Sequence, residues 1–204
     1  MRSHIRPTHQ GVRVLKVDQS GLPLSWLTPK EAIYEVAQDS VAWSLGEVAV
    51  VFHGGVQRST GEQSILEAPA IIAVRENQMS KRWQASFNDT LPLRREFLFR
   101  RDRCVCAYCG HQFSPDVLTI EHIQPKSKGG LNRWMNVVTA CKPCNQKKSF
   151  RTPEEARMPL LYLPYIPNRF EHFILAIKEY HILGDQMDYL MANVSSNSRL
   201  LVGV

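Results

Sequence analysis

The sequence predicts an α+β protein whose centre is pinned by a metal ion. Three observations carry that expectation. Two Cys-x-x-Cys pairs, Cys106/Cys109 and Cys141/Cys144, enclose a strand–loop–strand–helix pattern. Strand and helix signals alternate ahead of the first pair, and amphipathic helical stretches follow the second.

In chain order, Val12–Val17 alternates as a strand does and ends in a turn at Asp18-Gln19-Ser20-Gly21. Thr28-Pro29-Lys30-Glu31 is a capping box with Pro at the first helical position, opening a helix to about Ser40. Glu47–Phe52 reads as a strand stopped by His53-Gly54-Gly55. Ile65–Val74 is a further apolar run, and Pro69 within it argues for a sheet edge. Residues 1–90 thus form a small α/β module without a catalytic constellation of their own.

Residues 91–158 hold the cysteines. A helix covers about Arg94–Arg101, and its basic residues do not share one face. Val117–Ile120 is a short strand running into Glu121-His122, and Pro125-Lys126-Ser127-Lys128-Gly129-Gly130 turns the chain. Trp134–Ala140 contains the second strand, a helix begins near Cys144, and Thr152-Pro153-Glu154-Glu155 caps another. Residues 159–204 begin as a proline-rich brace, with Pro159, Pro164 and Pro167. Two helices follow, one opened by Asn168-Arg169-Phe170-Glu171, with a break near Gly184. Core packing is the default reading of their apolar stripe, and a homodimer contact has no support in the sequence. The tail from Ser195 is expected to be poorly ordered.

Composition narrows the class. The chain has 204 residues, a net charge of +6 and 44% hydrophobic content. No stretch approaches the roughly 20 apolar residues a membrane span needs, so no membrane partner is expected. No secretory leader is evident, and four of the five cysteines sit in paired spacing. Reduced thiols on a metal in the cytoplasm are therefore expected rather than disulfides. The charge excess is local: residues 75–103 and 104–157 each carry eight Lys/Arg against four Asp/Glu, while the flanks are slightly acidic. A basic segment around a metal site points to a polyanion, most simply nucleic acid.

Four thiolates from Cys106, Cys109, Cys141 and Cys144 close a tetrahedral zinc site and leave no open position, so that ion is structural. Cys104 is an alternative to Cys106 by a register shift, or else a small buried hydrophobe. Closing the zinc site gathers Glu121, His122 and Asn145 into one volume. His122 is the one histidine of seven placed beside a carboxylate at a strand end within that insert, and imidazole accepts a proton from water near neutrality.

Three stretches carry a resemblance to a known family: Arg101-Asp102-x3-Cys106-x-Tyr108-Cys109-Gly110; Leu118-Thr119-Ile120-Glu121-His122-Ile123-x-Pro125-x-Ser127-x-Gly129-Gly130; and Asn136-Val137-Val138-x-Ala140-Cys141-x2-Cys144-Asn145-x2-Lys148. Over residues 95–158 the chain resembles the His-Asn-His (HNH) endonucleases with a four-cysteine zinc site, of the bacterial or phage type. The resemblance implies a ββα-metal core. It makes His122 the general base, Asn136 the brace that orients it, and Glu121 and Asn145 the ligands of one divalent ion. The chain has Glu where Asp is commoner at 121, and Asn where the founding pattern has a third His at 145. An oxygen donor pair favours magnesium or manganese.

The expected activity is hydrolysis of DNA, double-stranded by preference, to 5′-phosphate and 3′-hydroxyl ends. Lys126, Lys128, Lys147 and Lys148 are candidates to hold neighbouring phosphates. The rival is a zinc-stabilised nucleic-acid-binding module with little or no turnover.

Overall fold

The computed structural model describes residues 11–75, 91–177 and 181–201, so His4 and His9 lie outside them. The chain divides into two units. One draws on Met1–Ser86 and Ile177–Asn193, the other on Phe87–Ala176 and Val194–Val204. The C-terminal segment, expected as a separate piece, is thus shared between them. No described helix is long and apolar enough to cross a membrane.

The first unit is a four-stranded sheet with helices packed on it. β1 (Val14–Val17) pairs antiparallel with β2 (Pro23–Leu27) and parallel with β4 (Gln63–Val74), and β4 pairs antiparallel with β3 (Val41–Val56), giving the order β2-β1-β4-β3. Between β2 and β3 lies α1 (Pro29–Ala37), opened by the expected capping box, with Thr28 and Glu31 bonding each other's backbone N–H. Its Ala32 and Ile33 join Val14, Leu27, Val50 and Ile72 in the core.

Two expectations fail here for identifiable reasons. His53-Gly54-Gly55 does not end β3. His53 pairs with Ile65 and Val56 with Gln63, and a Cβ on Gly54 would collide with Ser64 Oγ. The glycine admits a close cross-strand neighbour rather than stopping the strand. Nor is β4 an edge strand. Pro69 lies before the stretch that pairs with β1 (Ile71–Ala73), opposite Val48, with register shifts on both sides of that pair.

The final helix, α6 (Gly184–Ala192), belongs to this unit. Gln186 is fully buried and donates to the carbonyls of Arg13 (2.7 Å) and Ala70 (2.8 Å), and Asp185 accepts from the Glu47 N–H at 2.7 Å.

The second unit contains α2 (Arg95–Arg101), the hairpin of β5 (Leu118–His122) and β6 (Val137–Cys141), α3 (Lys142–Lys148), α4 (Pro153–Ala156) and α5 (Arg169–Ala176). Its core is Leu91, Leu98, Phe99, Leu118, Trp134 and Val137. The Phe97 ring meets His172 of α5 edge-on at 4.4 Å. Burial, then the charges of Arg100 and Arg169, push the His172 imidazole down to about 4. The described tail is anchored at Ser198 and Arg199, while Ser196, Asn197 and Leu201 stay exposed. Ser198 is fully buried and the Arg199 guanidinium lies 4.0 Å from the centre of the Tyr162 ring. A cation over an aromatic face is attracted by the ring quadrupole, which ties the tail to the proline-rich segment.

Arg101 is the polar centre of this unit. Its side chain is completely buried and its N–H groups are satisfied. Nε and Nη2 grip Asp102 at 2.8 and 3.1 Å. Nη1 donates to the carbonyls of Trp134 (3.0 Å) and Tyr165 (2.9 Å), and Nη2 to that of Val137 (2.8 Å). Asp102 also accepts the Thr139 N–H at 2.8 Å. The flat guanidinium fork suits this work because its donors diverge in one plane. One side chain therefore fixes the backbone on both sides of Asn136.

Candidate active site

β5 and β6 pair in the register Leu118↔Cys141, Glu121↔Val138 and His122↔Val137, and β6 passes directly into α3, with Pro143 in its first turn. This is the ββα arrangement, and the cysteines sit at its joints. The Cys106–Cys109 turn closes through Gly110 N–H to the Cys106 carbonyl, while Cys141 and Cys144 flank the β6–α3 junction. All four sulfurs lie within 4.8 Å of one another. Tetrahedral zinc with Zn–S near 2.3 Å wants sulfurs about 3.8 Å apart, so the set fits zinc with slight contraction. Burial and then the neighbouring sulfurs hold Cys109 and Cys144 above the ordinary thiol range. At Cys106, burial is outweighed by backbone N–H groups, which pull the thiol down. A divalent cation relieves that mutual repulsion among thiolates. Cys104 stays out of the set and packs against the hydrophobic core of this unit.

The loop after His122 is held by Asn136. The Asn136 side-chain oxygen accepts the Gln124 N–H at 2.9 Å, its amide donates to the carbonyls of Gln124 (3.1 Å) and Leu131 (2.9 Å), and its own carbonyl accepts from Ile123 at 2.9 Å. One amide thus pins both ends of residues 124–131. Gly130 completes the turn, since a Cβ there would run into the Gln124 carbonyl oxygen.

Successive strand residues point to opposite faces, so Thr119 and Glu121 share a face. On α3, Asn145 and Lys148 are three apart and share another. These faces meet: Asn145 Nδ2 donates to Thr119 Oγ1 at 2.9 Å, and Lys148 Nζ lies 2.5 Å from Glu121 Oε1. Among the described residues, Glu121 Oε2 and the Asn145 side-chain oxygen Oδ1 have no hydrogen-bond partner. Two unclaimed oxygens on facing elements fit a hard divalent ion. Burial raises the Glu121 carboxyl above its usual range, against the opposing pull of Lys148.

His122 ends β5. Burial first, then the Lys126 charge, lower its pKa below 6.5, opposed by a hydrogen bond with the Asn132 side chain. Its Nε2 is buried and has no protein partner. Nearby, burial and then the Glu121 charge push the Tyr108 hydroxyl up, and its buried oxygen has no protein partner either.

The four lysines expected to hold phosphates separate into three groups. Lys126 and Lys147 are exposed. Lys128 grips both carboxylate oxygens of Glu155 at 2.5 Å on the surface. Lys148 has no exposed surface, and its ammonium is taken by Glu121 and the His122 carbonyl (2.8 Å), so it offers no charge to a backbone phosphate here. Its spacing from Asn145 is the signal that reveals this, because a residue three positions on must share that inward face. Thr119, Asn132 and the Arg101–Asp102 clamp carry no assignment from sequence alone; their roles depend on partners more than twelve residues away or, for Asn132, on how the loop folds.

No curated protein matches the chain. Residues 106–161 match the family of HNH endonucleases. The matched segment spans the four cysteines, both strands, α3 and α4. In those residues the chain therefore carries a domain of the HNH endonuclease family.

Proposed function

We propose that this protein is a divalent-metal-dependent endonuclease that hydrolyses DNA phosphodiester bonds. The observation that carries the reading is a half-buried His122 next in the chain to Glu121, whose face of β5 meets Asn145 and Lys148 of α3, on a zinc-compatible ββα frame. Glu121 and Asn145 would hold the ion, preferably magnesium or manganese. Such an ion, when bound, polarises the scissile phosphate and offsets the charge of the leaving oxygen.

The chain's own residues supply the rest. His122 takes a proton from water as the water attacks phosphorus in line, and the P–O3′ bond breaks to leave a 5′-phosphate and a 3′-hydroxyl. Asn136 keeps the imidazole and its loop in register. Asn132 steadies the ring. Lys126 and Lys147 hold flanking phosphates, which positions the backbone without reading sequence. Double-stranded DNA is the substrate we favour, because the basic excess of residues 75–157 matches a dense line of phosphates. The four-cysteine set holds zinc as a structural ion, and the reduced state of those thiols suits the cytoplasm.

Supercoiled plasmid tests the reading. Incubated with zinc-loaded protein and magnesium or manganese, it should be nicked or cut, and chelation of the added ion should stop the reaction. Metal-dependent DNA binding with no strand cleavage would favour a binding module instead.

The pH profile provides a second check. A base must be deprotonated to act, so cleavage should be constant above the His122 pKa and fall as pH drops through it, with the acid limb below 6.5. Lys126→Ala removes a charge that disfavours imidazolium and should move that limb upward. An unmoved or lowered limb would place the titrating group elsewhere.

A further inference from the structure

Lys148 occupies a position that phosphate binding does not explain. A lysine near the end of a short helix ordinarily keeps its ammonium in water. Here the side chain is completely buried, with Nζ 2.5 Å from Glu121 Oε1 and 2.8 Å from the His122 carbonyl oxygen. Burying an ammonium costs several kcal/mol unless an opposing charge meets it, and Glu121 is that charge. The converse also holds: a carboxylate as buried as Glu121 needs a cation beside it. Both contacts of Lys148 fall on the adjacent pair at the strand end, one read as ion ligand and the other as base. Asn145, on the same helix face, donates its side-chain amide to Thr119 and leaves its side-chain oxygen Oδ1 unclaimed. The ammonium therefore sits on the carboxylate that a divalent ion requires.

We propose that Lys148 is a built-in counter-cation that holds the Glu121 carboxylate in the metal-free protein and yields it to the catalytic divalent ion on binding. This rests on the reading of Glu121 as an ion ligand. Two consequences follow from charge balance. Without the ion, the site carries no uncompensated buried carboxylate, so the ββα core keeps its geometry. With the ion, part of the binding free energy goes into displacing the ammonium, so the metal binds weakly and exchanges. Lys148 is in this sense a positioning residue whose charge tunes metal affinity.

Manganese titration followed by EPR, on zinc-loaded protein in alkaline buffer, tests this without reference to turnover. Lys148→Met keeps the unbranched stem, one atom shorter, and removes the charge. It should bind manganese tighter than wild type, by about tenfold or more, because one fewer positive charge lies within a few ångströms of the ion. A purely structural lysine would give the opposite sign, and manganese affinity in Lys148→Met equal to or weaker than wild type would overturn the proposal. Glu121→Gln in the same titration separates the two readings. Lost manganese binding in Glu121→Gln, with Lys148→Met no tighter, sinks the counter-cation and leaves the nuclease reading standing. Undiminished binding in Glu121→Gln sinks both. Should Lys148→Met fail to retain zinc, wild-type protein carries the test through amine acylation read by mass spectrometry. Lys148 should be protected without the ion and labelled when manganese is added; protection that manganese leaves unchanged would overturn the proposal.

Discussion

His122→Ala is expected to slow plasmid cleavage by about 10²–10⁴-fold, the usual contribution of a positioned general base. Zinc content, the melting profile and DNA affinity should stay near wild type. The side chain is half-buried at a strand end and makes no hydrogen bond on which the hairpin depends, since the Ile123–Asn136 and Gln124–Asn136 contacts run through backbone and Asn136. Its loss removes chemistry more than packing. Imidazole added to the medium should restore part of the rate, because a free base of the same kind can occupy the space the side chain leaves. Cleavage by His122→Ala at the wild-type rate would remove His122 as the base.

Arg101→Met should cost about 3–5 kcal/mol of stability in the second unit, the usual penalty for removing one partner of a buried ion pair. Four acceptors lose their donor at once: the Asp102 carboxylate and the carbonyls of Trp134, Tyr165 and Val137. Lysine should rescue poorly, since a single ammonium cannot span acceptors arranged around a planar fork. Replacing Asp102 with Leu alongside Arg101→Met should recover part of the loss, because the uncompensated charge leaves as well. Two units make a single melting temperature ambiguous, so hydrogen exchange at the β6 amides is the appropriate readout. Exchange of Thr139 unchanged in Arg101→Met would show that the clamp carries little of the stability. Activity should fall with stability, since the same fork fixes the backbone on both sides of Asn136.

The parts of the fold legible in sequence are those specified by local chemistry. Thr28/Glu31 and Thr152/Glu155 announce helix starts because a capping box is satisfied within four residues. The cysteine pairs announce their cluster because metal spacing constrains the chain directly. Glycine and proline are ambiguous by contrast. Gly54 and Pro69 read as a strand end and an edge, yet one accommodates Ser64 and the other sits at a bulge. The same residue serves either purpose, and only the neighbouring strand decides. The tail misleads in another way: Ser198 and Arg199 look like a polar terminus, yet Ser198 is buried and the Tyr162 ring lies against the Arg199 guanidinium.

Charge is the property least legible in this sequence. Arg101 and Lys148 contribute to the same basic excess as Lys126 and Lys147, but the first two are fully buried and the last two exposed. A count of charges along the chain carries no information about which are desolvated. Helical spacing gives a partial guide, since Lys148 shares a face with Asn145; the guanidinium at 101 offers no such cue. Sequence thus singles out the strand end and helix face that meet at Glu121 and Asn145, and misjudges the cations around them.

Zinc and cleavage measured together on Cys141→Ser test most directly whether a sulfur-bound ion assembles the hydrolytic site. Wild-type protein should carry one zinc per chain by elemental analysis and cut plasmid with magnesium or manganese. Cys141→Ser should lose both, because the serine removes a ligand at the joint where β6 enters α3 and frees the helix that presents Asn145 and Lys148. A Cys141→Ser protein that holds no zinc yet cuts DNA at the wild-type rate would contradict it.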